Sequence, residues 1–257
     1  MPPDSQSLAA AQVQVVANAS SNVRICPAYG NGLVAGSPQV PFCGNGLRAV
    51  GVDTSALHSH VAGQPERWGL LHLAGVYRDD TFRVTAQGPW RVAPNPPSPF
   101  EGPIPCRAPV GGWRFVVAPE TQRKTIHEYQ RAHRGDLVSV SFFHDGKILV
   151  VASSHPARTR ALLGPAWPHQ LCVVPARYSR PFVNRVRAKV LSLMRPMSRA
   201  ARYGWVTGAG GYGVNDRGET TISLDVLIET PQLRAFLRRL PQGIVALDST
   251  FQPVPRL

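Results

Sequence analysis

Acidic residues are scarce in this chain of 257 residues, which holds 15 Asp and Glu against 28 Lys and Arg and carries a formal net charge of +13. Long apolar runs are lacking as well, because no stretch of 18 residues is apolar throughout, and this excludes a membrane-spanning helix. Only four cysteines are present, and no C-x-x-C spacing joins them, which argues against zinc-ribbon and thioredoxin chemistry. Long uninterrupted helices are excluded too, since 25 prolines and 23 glycines punctuate the chain.

The remaining composition is that of a folded protein. Apolar residues make up 43% of the chain, enough to bury a core and too many for a disordered segment. The first thirty residues lack a basic start followed by an apolar run, so we expect a cytoplasmic protein. In that compartment the four cysteines are expected to be reduced, mostly buried thiols. In an oxidising compartment the alternative is a disulfide between Cys26 and Cys43, which would close a loop rich in Gly and Pro.

The pattern along the chain predicts two domains and a linker. Residues 1–22 are small and polar and are interpreted as a flexible N-terminal arm. Alternating apolar residues predict a β-rich domain over 23–92, which could close as a small barrel and which contains a hairpin over 67–86. Seven prolines in 93–112 indicate an extended linker. The remainder, 113–257, is predicted to form an α+β domain.

Two segments of this second domain echo each other. Residues 148–174 and 222–250 each follow the order strand, helix with Arg and Leu, strand. Two such units placed side by side predict a ferredoxin-like α/β sandwich, with a helix over 179–194 inserted between them and capped by Ser179. The predicted fold class is therefore α+β, with a β-rich N-terminal domain and a ferredoxin-like C-terminal domain.

Four motifs follow one another in a fixed order. They are Ile25-Cys26 with Phe42-Cys43-Gly44, then GVYRDDTFRVT at 75–85, Ile104-Pro105-Cys106 through Gly111-Gly112-Trp113, and QLCVVPARYSRPFVNRVRAKV at 170–190. In these motifs, from about residue 23 to the end, the chain resembles a family of uncharacterised actinobacterial proteins. The resemblance implies no activity, because that family has no assigned function. The helix after Pro175 is usually acidic in those proteins and is basic here.

No motif of this sequence predicts catalysis. Residues 208–213 match G-x-G-x-x-G by letter, but a strand rather than a helix is predicted to follow, so the helix N-terminus that holds a pyrophosphate is missing. On a helix His127 and His133 lie roughly 120° apart and cannot share a metal ion. We therefore expect no catalytic residue, no metal and no cofactor. An enzyme assembled from residues distant in sequence is a further hypothesis, without support from any motif.

The charge distribution is the strongest functional signal. Between Asp145 and Asp216 the chain holds eleven basic residues and no acidic one. The predicted helix 179–194 combines an apolar stripe with basic residues along both rims. Arginine binds phosphate through two parallel hydrogen bonds and neighbouring aromatic rings can stack on bases, so this composition predicts a surface for a polyanion, with nucleic acid as the first candidate. The predicted polyanion-binding residues are Arg177, Arg180, Arg185, Arg187, Lys189, Arg195, Arg199 and Arg202, with Tyr203 and Trp205 as the predicted stacking residues.

Three other interpretations of the same charge stay open. The basic residues could form a solvated face whose arginine stems lie over the apolar stripe. They could instead bind an acidic protein partner, which would make the chain a structural or protein-interaction module. An anionic membrane surface is the third possibility.

Overall fold

The structure is a computed structural model, and it describes residues 6–17, 22–27, 46–57, 59–60, 67–89, 102–194 and 202–253. The strands are β1 (Gln6–Ala17), β2 (Val23–Pro27), β3 (Leu47–Val50), β4 (Ser59–His60), β5 (Arg67–Arg78), β6 (Thr81–Pro89), β7 (Leu137–Phe143), β8 (Ile148–Ser153), β9 (Leu171–Pro175), β10 (Val206–Val214), β11 (Thr220–Val226), β12 (Val245–Ser249) and β13 (Phe251–Pro253). The α-helices are α1 (Glu120–Ala132), α2 (Pro156–Leu163), α3 (Arg180–Leu191) and α4 (Pro231–Leu237). The mixed α+β class predicted from the sequence is confirmed.

Five of the first six strands form a closed barrel. β1, β2 and β3 follow one another as antiparallel neighbours, and β3 then pairs with β6 in parallel. β6 pairs with β5, and β5 returns to β1, which closes a ring of five strands. Short β4 extends the sheet beyond β5. The interior is filled by alternate residues of these strands, among them the fully buried Val15, Ile25, Leu73 and Phe82.

β1 corrects the expected N-terminal boundary. Residues 1–22 were predicted to be a flexible arm, yet Gln6–Ala17 is a twelve-residue strand that pairs with β5 along almost its whole length. Val13 and Val15 are fully buried in the barrel. The alternation of Gln and Val from Gln12 to Val15 has the period of two that is typical of a strand, but it follows a run of small residues that resembles a loose segment.

The far end of the chain also belongs to the barrel. β13 pairs with β1, and Phe251 is 1% exposed, with its ring centroid 4.5 Å from that of Phe82. Leu227 and Ile228, which follow β11, pack into the same core. The predicted boundary that gave 113–257 to a separate domain is therefore wrong at its C-terminal end. The sequence could not indicate this pairing, because its two partners lie more than 240 positions apart.

The segment between the barrel and β13 contains two similar units. In the first, β7 and β8 form a hairpin, and α2 crosses over to β9, which lies parallel to β8. In the second, β10, β11, α4 and β12 repeat that arrangement. A helix precedes each unit: α1 in the first and α3 in the second. The internal echo seen in the sequence thus corresponds to two α-β-β-α-β units.

The ferredoxin-like sandwich is not confirmed. Such a fold joins its two units in one four-stranded sheet, whereas the described strands form two separate three-stranded sheets, β7–β8–β9 and β10–β11–β12. The sheets meet at β7 and β10 through side chains: Ser141 Oγ accepts a hydrogen bond from the Val214 backbone N–H at 2.6 Å, and the Ser139 and Thr220 hydroxyls are 2.9 Å apart. Each hairpin supplies its own antiparallel partner, so no ladder forms between the units.

The proline-rich segment is anchored to the second half of the protein. Residues 102–112 are described, and Ile104, Cys106 and Trp113 pack against the cluster around Phe143 and Val150. A disulfide joins Cys106 to Cys172 of β9. The expectation of four reduced thiols is therefore wrong for this pair, because the fold brings two cysteines 66 positions apart into contact. Cys26 is also disulfide-bonded, while Cys43, its predicted partner, lies outside the described residues.

Within the described ranges, no helix has the length and apolar character needed to cross a membrane.

The barrel-closing role of Phe251 can be tested by substitution. We expect Phe251→Ala to lower the free energy of unfolding by about 3–5 kcal/mol, because it removes a large side chain buried against Phe82. Phe115→Ala is the matched control, since Phe115 is 51% exposed and its loss should change stability by less than about 0.5 kcal/mol. Urea unfolding followed by circular dichroism measures both values. Equal effects of the two substitutions would contradict the role of β13 in the barrel.

The disulfide provides a second stability test. Replacing both Cys106 and Cys172 by Ala removes a cross-link between residues 66 positions apart, and the loop-entropy relation gives a loss of about 4 kcal/mol. The measurement is the urea midpoint of wild type and double variant without reductant. An unchanged midpoint would show that the proline-rich segment is held by packing alone.

Candidate nucleic-acid interface

α3 forms as the sequence predicts. The Ser179 side chain caps it by accepting a hydrogen bond from the Phe182 backbone N–H, and Pro181 lies in the first turn, where its missing N–H is tolerated. Val183, Val186 and Val190 are buried against the β10–β11–β12 sheet, which confirms the apolar stripe. The helix ends at Leu191, followed by a short 3₁₀ turn over Ser192–Met194.

The basic residues of α3 lie on two sides of that stripe. Arg185 and Lys189 are exposed, and the Arg185 guanidinium lies 5.7 Å from the centroid of the Phe182 ring. On the other side, Arg187 Nε donates a hydrogen bond to the Gly210 carbonyl at 2.6 Å, and Arg180 Nη1 donates to the Leu137 carbonyl at 3.3 Å. The predicted residues of the helix therefore do not form one patch by themselves.

The predicted residues outside α3 are more dispersed. Arg177 forms an exposed ion pair with Glu219 at 3.4 Å and stacks over the Tyr178 ring. Arg202 is exposed at the start of the next described segment. Arg195 and Arg199 lie outside the described residues.

The two predicted stacking residues take part in packing. Tyr203 is half-buried and meets the Phe236 ring edge-on at 5.9 Å. Trp205 is half-buried and meets Tyr77 of the barrel edge-on at the same distance. The chain enters Trp205 through Gly204, which has a φ of +95° and lies so close to the Ile228 carbonyl that no Cβ would fit. These contacts leave neither ring as an open platform for a base, so the stacking prediction gains no support.

α1 contributes the basic residues that the sequence analysis missed. The helix buries Ile126 and Tyr129, and the Trp167 indole N–H donates a hydrogen bond to the Thr125 hydroxyl at 3.1 Å. The opposite side is exposed and carries Lys124 and Arg131, with Arg134 just beyond the helix end. They do not stand out in the sequence, because residues 101–145 hold nearly equal numbers of acids and bases. The sequence did contain one signal. Lys124, Arg131 and Arg134 are separated by seven and three positions, a spacing that places residues on one side of a helix.

An open groove lies between α1 and the start of α3. Its volume is about 1010 Å³. It brings Arg180, Pro181 and Asn184 of α3 together with the exposed side of α1. Its lining residues are Glu120, Lys124, His127, Glu128, Gln130, Arg131, Arg134, Gly135, Arg180, Pro181 and Asn184. Of the predicted polyanion-binding residues, Arg180 is thus the one that the structure places in this groove.

The groove is positively charged overall. Four Lys and Arg side chains face two carboxylates, those of Glu120 and Glu128, and within the described structure none of the six makes an ion pair of 4 Å or less. The groove also contains Arg180 and Pro181 of the first turn of α3. Arg180 is held in place by the Leu137 carbonyl, so its guanidinium is oriented before any ligand arrives. The arrangement suits an anion with several oxygen atoms.

A buried polar network lies directly behind this groove. Asp136, whose side chain is 7% exposed, accepts two hydrogen bonds from Arg158, at 2.7 and 3.0 Å, and one from the Tyr129 hydroxyl at 3.0 Å. His155 Nδ1 is 3.2 Å from the same carboxylate. Burial alone would raise the pKa of Asp136, but the hydrogen bonds from Arg158 and Tyr129 and the charge of Arg158 outweigh it and lower that pKa. The network fixes the turn between α1 and β7.

The same network does not form a catalytic relay. Ser154 Oγ lies 3.4 Å from His155 Nδ1, the nitrogen that also contacts Asp136. A nucleophile relay needs the serine and the aspartate on opposite ring nitrogens, which is not the case here. Among the described residues, no group of three or more His, Cys, Asp and Glu side chains is placed to hold a metal ion.

The lowered pKa of Asp136 gives a stability prediction. Because the pKa is lower in the folded state than in the unfolded state, the ionised carboxylate stabilises the fold above the unfolded value near pH 3.8, and this contribution disappears as the pH falls through the folded pKa. We expect Asp136→Asn to lose about 1–3 kcal/mol at pH 6 and progressively less below pH 4. Urea unfolding across this pH range measures the difference. A constant difference at all pH values would contradict the ionised assignment.

No family model, curated protein or solved structure matches this chain. The resemblance to actinobacterial proteins, carried by motifs such as Ile104-Pro105-Cys106 and Gly111-Gly112-Trp113, therefore stays a prediction.

Proposed function

We propose that this protein is a non-enzymatic module that binds the phosphate backbone of nucleic acid in the groove between α1 and α3. The observation that carries the proposal is the convergence of Lys124, Arg131, Arg134 and Arg180 from two helices on one open groove. Nucleic-acid binding without sequence reading depends on such neutralisation of phosphates by Lys and Arg.

The length of the groove fits a run of phosphates. Lys124 and Arg131 are seven positions apart within α1, which corresponds to about 10 Å along a helix. That distance covers about three nucleotide steps of a B-form duplex, at roughly 3.4 Å for each step. Arg185 and Lys189, which are exposed on α3, extend the positive surface beyond the groove.

Arginine is the residue that favours phosphate over other anions. Three of the four basic residues of the groove are Arg, and a guanidinium can present two parallel N–H donors to the oxygens of one phosphate. An acidic protein partner is the alternative that the exposed apolar residues Phe115, Val116 and Val117 favour, because protein interfaces use apolar contact as well as charge. Those three residues do not line the groove.

The cellular location bears on the nature of the ligand. The cytoplasmic location stays a prediction, and the Cys106–Cys172 disulfide favours an oxidising compartment instead, since cytosolic thiols are kept reduced. Binding at the groove does not depend on this choice, because none of its lining residues is a cysteine.

The groove is tested with a triple variant. Lys124→Gln with Arg131→Gln and Arg134→Gln removes three positive charges from exposed positions. We expect weaker binding to duplex DNA and a salt dependence, log K against log salt, whose slope is smaller by about 2.7, or 0.9 for each lost contact. Fluorescence anisotropy from low to physiological salt gives both quantities.

The matched control removes the same charge elsewhere. Arg217→Gln with Arg238→Gln and Arg239→Gln changes three exposed arginines that do not line the groove. This control should keep the wild-type slope. If the two variants lose the same affinity for duplex DNA, the binding depends on net charge alone and not on the groove. Tighter binding to an acidic protein than to DNA would favour the alternative partner.

A further inference from the structure

A second group of arginines lies on the outer surface of the barrel, far from α1 and α3 in the chain. Arg24 of β2 and Arg48 of β3 are direct cross-strand partners. On the next strand, Arg83 of β6 is the partner of Val50, two residues along β3 from Arg48. Cβ atoms of direct partners are about 5 Å apart and those of diagonal partners about 7–8 Å. The three side chains therefore share one small area, which we call the barrel arginine row.

The row points away from the barrel core. Its neighbours along the strands, Ile25, Ala49 and Phe82, are buried inside the barrel. Because successive residues of a strand face opposite sides, Arg24, Arg48 and Arg83 face outwards. Arg48 and Arg83 are exposed, while Arg24 is half-buried. The Arg24 Nη1 group donates a hydrogen bond to the Gly46 carbonyl at 3.0 Å, which orients its guanidinium without neutralising it.

No carboxylate is available on these strands to balance the row. The sequences of β1, β2, β3 and β6 contain no Asp or Glu. Among the described residues, the acids closest in sequence to Arg83 are Asp79 and Asp80, in the turn before β6. Asp79 pairs with Arg78 at 3.4 Å, and Asp80 accepts a hydrogen bond from the Tyr77 hydroxyl. Asp53, after β3, accepts hydrogen bonds from Ser55.

Facing arginines without a counter-charge destabilise a sheet. Like charges directly opposite each other on neighbouring strands repel, and a bound anion between them removes that repulsion. A phosphate group suits this position, because its oxygens can accept from two guanidinium groups at once. Thr81, the parallel-strand partner of Arg48, adds a hydroxyl group to the same side.

The geometry points to a binding surface for the phosphates of single-stranded nucleic acid at Arg24, Arg48 and Arg83. The outer surface of a closed barrel is convex, and a duplex, with a persistence length of roughly 50 nm, meets a convex surface at few phosphates. A single strand bends easily and can follow donors spaced about 5–8 Å apart across three strands. This surface is separate from the α1–α3 groove and does not depend on it.

The experiment compares two variants of the full chain. Arg48→Gln with Arg83→Gln alters the two exposed members of the row and leaves Arg24 in place. Arg238→Gln with Arg239→Gln removes the same charge from exposed positions after α4. Fluorescence anisotropy is measured with a labelled single-stranded oligonucleotide and with the duplex of the same length.

We expect the row variant to bind the single strand at least about tenfold more weakly than the control variant. Its affinity for duplex should match that of the control. The thermal midpoint of the row variant without nucleic acid should be unchanged or higher, because a repulsive pair has been removed. If the double variant unfolds at a lower temperature, Arg83→Gln alone, at an exposed position with no cross-strand arginine, repeats the comparison.

Three results would overturn the inference. The first is a single-strand affinity equal to that of the control variant. The second is an equal loss for single strand and duplex, which would indicate net charge alone. The third is a rise of the thermal midpoint with inorganic phosphate that equals the rise with the oligonucleotide at the same phosphate concentration. That result would indicate an adventitious ion only. The groove triple variant separates the two surfaces: if it leaves duplex binding intact, the proposed function fails while the inference about the barrel stands.

Discussion

The pairing of β1 is the constraint on which the rest of the structure depends. One edge of this strand joins β5 and closes the barrel, while the other edge joins β2 along its second half and β13 along its first half. The start and the end of the chain therefore meet on a single strand. Phe251 then packs on Phe82 inside the barrel, and Leu227 and Ile228 join the same core. The second α-β-β-α-β unit is consequently anchored to the barrel twice, after β11 and at its C-terminal end.

The duplication of the second half determines where the groove forms. α1 and α3 hold equivalent positions, since each precedes a β-hairpin followed by a helix and a parallel strand. The groove lies between these two equivalent helices, so its charge comes from two places about fifty residues apart in the chain. Arg180 lies in the stretch that contains no acid, whereas Lys124 and Arg131 lie in a stretch of nearly balanced charge. Such a groove can be predicted from the sequence only when α1 and α3 are recognised as equivalent helices of a repeat.

What could be predicted from the sequence was local. The β5–β6 and β7–β8 hairpins, the cap at Ser179 and the apolar stripe of α3 depend on residues within a few positions of one another, and the structure confirms them. The strand β1 could not be recognised, because its partners are remote and its alternating residues follow a run of small ones. The Cys106–Cys172 contact is equally remote. For the site, the sequence predicted a positive helix but not that Arg187 would turn to a carbonyl or that Trp205 would pack on Tyr77.

The shortage of acidic residues changes what arginine does in this fold. Several guanidinium groups take backbone carbonyls as partners: Arg24 with Gly46, Arg160 with Val173, Arg180 with Leu137 and Arg187 with Gly210. A carbonyl accepts the hydrogen bond and fixes the side chain, but unlike a carboxylate it leaves the positive charge uncancelled. The protein thus orders its arginines while keeping its net charge of +13. An oriented group whose charge is not neutralised loses little rotamer freedom when an anion binds, and the same anion still gains the full electrostatic attraction. This combination explains how a chain with few acids can hold arginines that are oriented and still charged, Arg180 in the groove and Arg24 on the barrel.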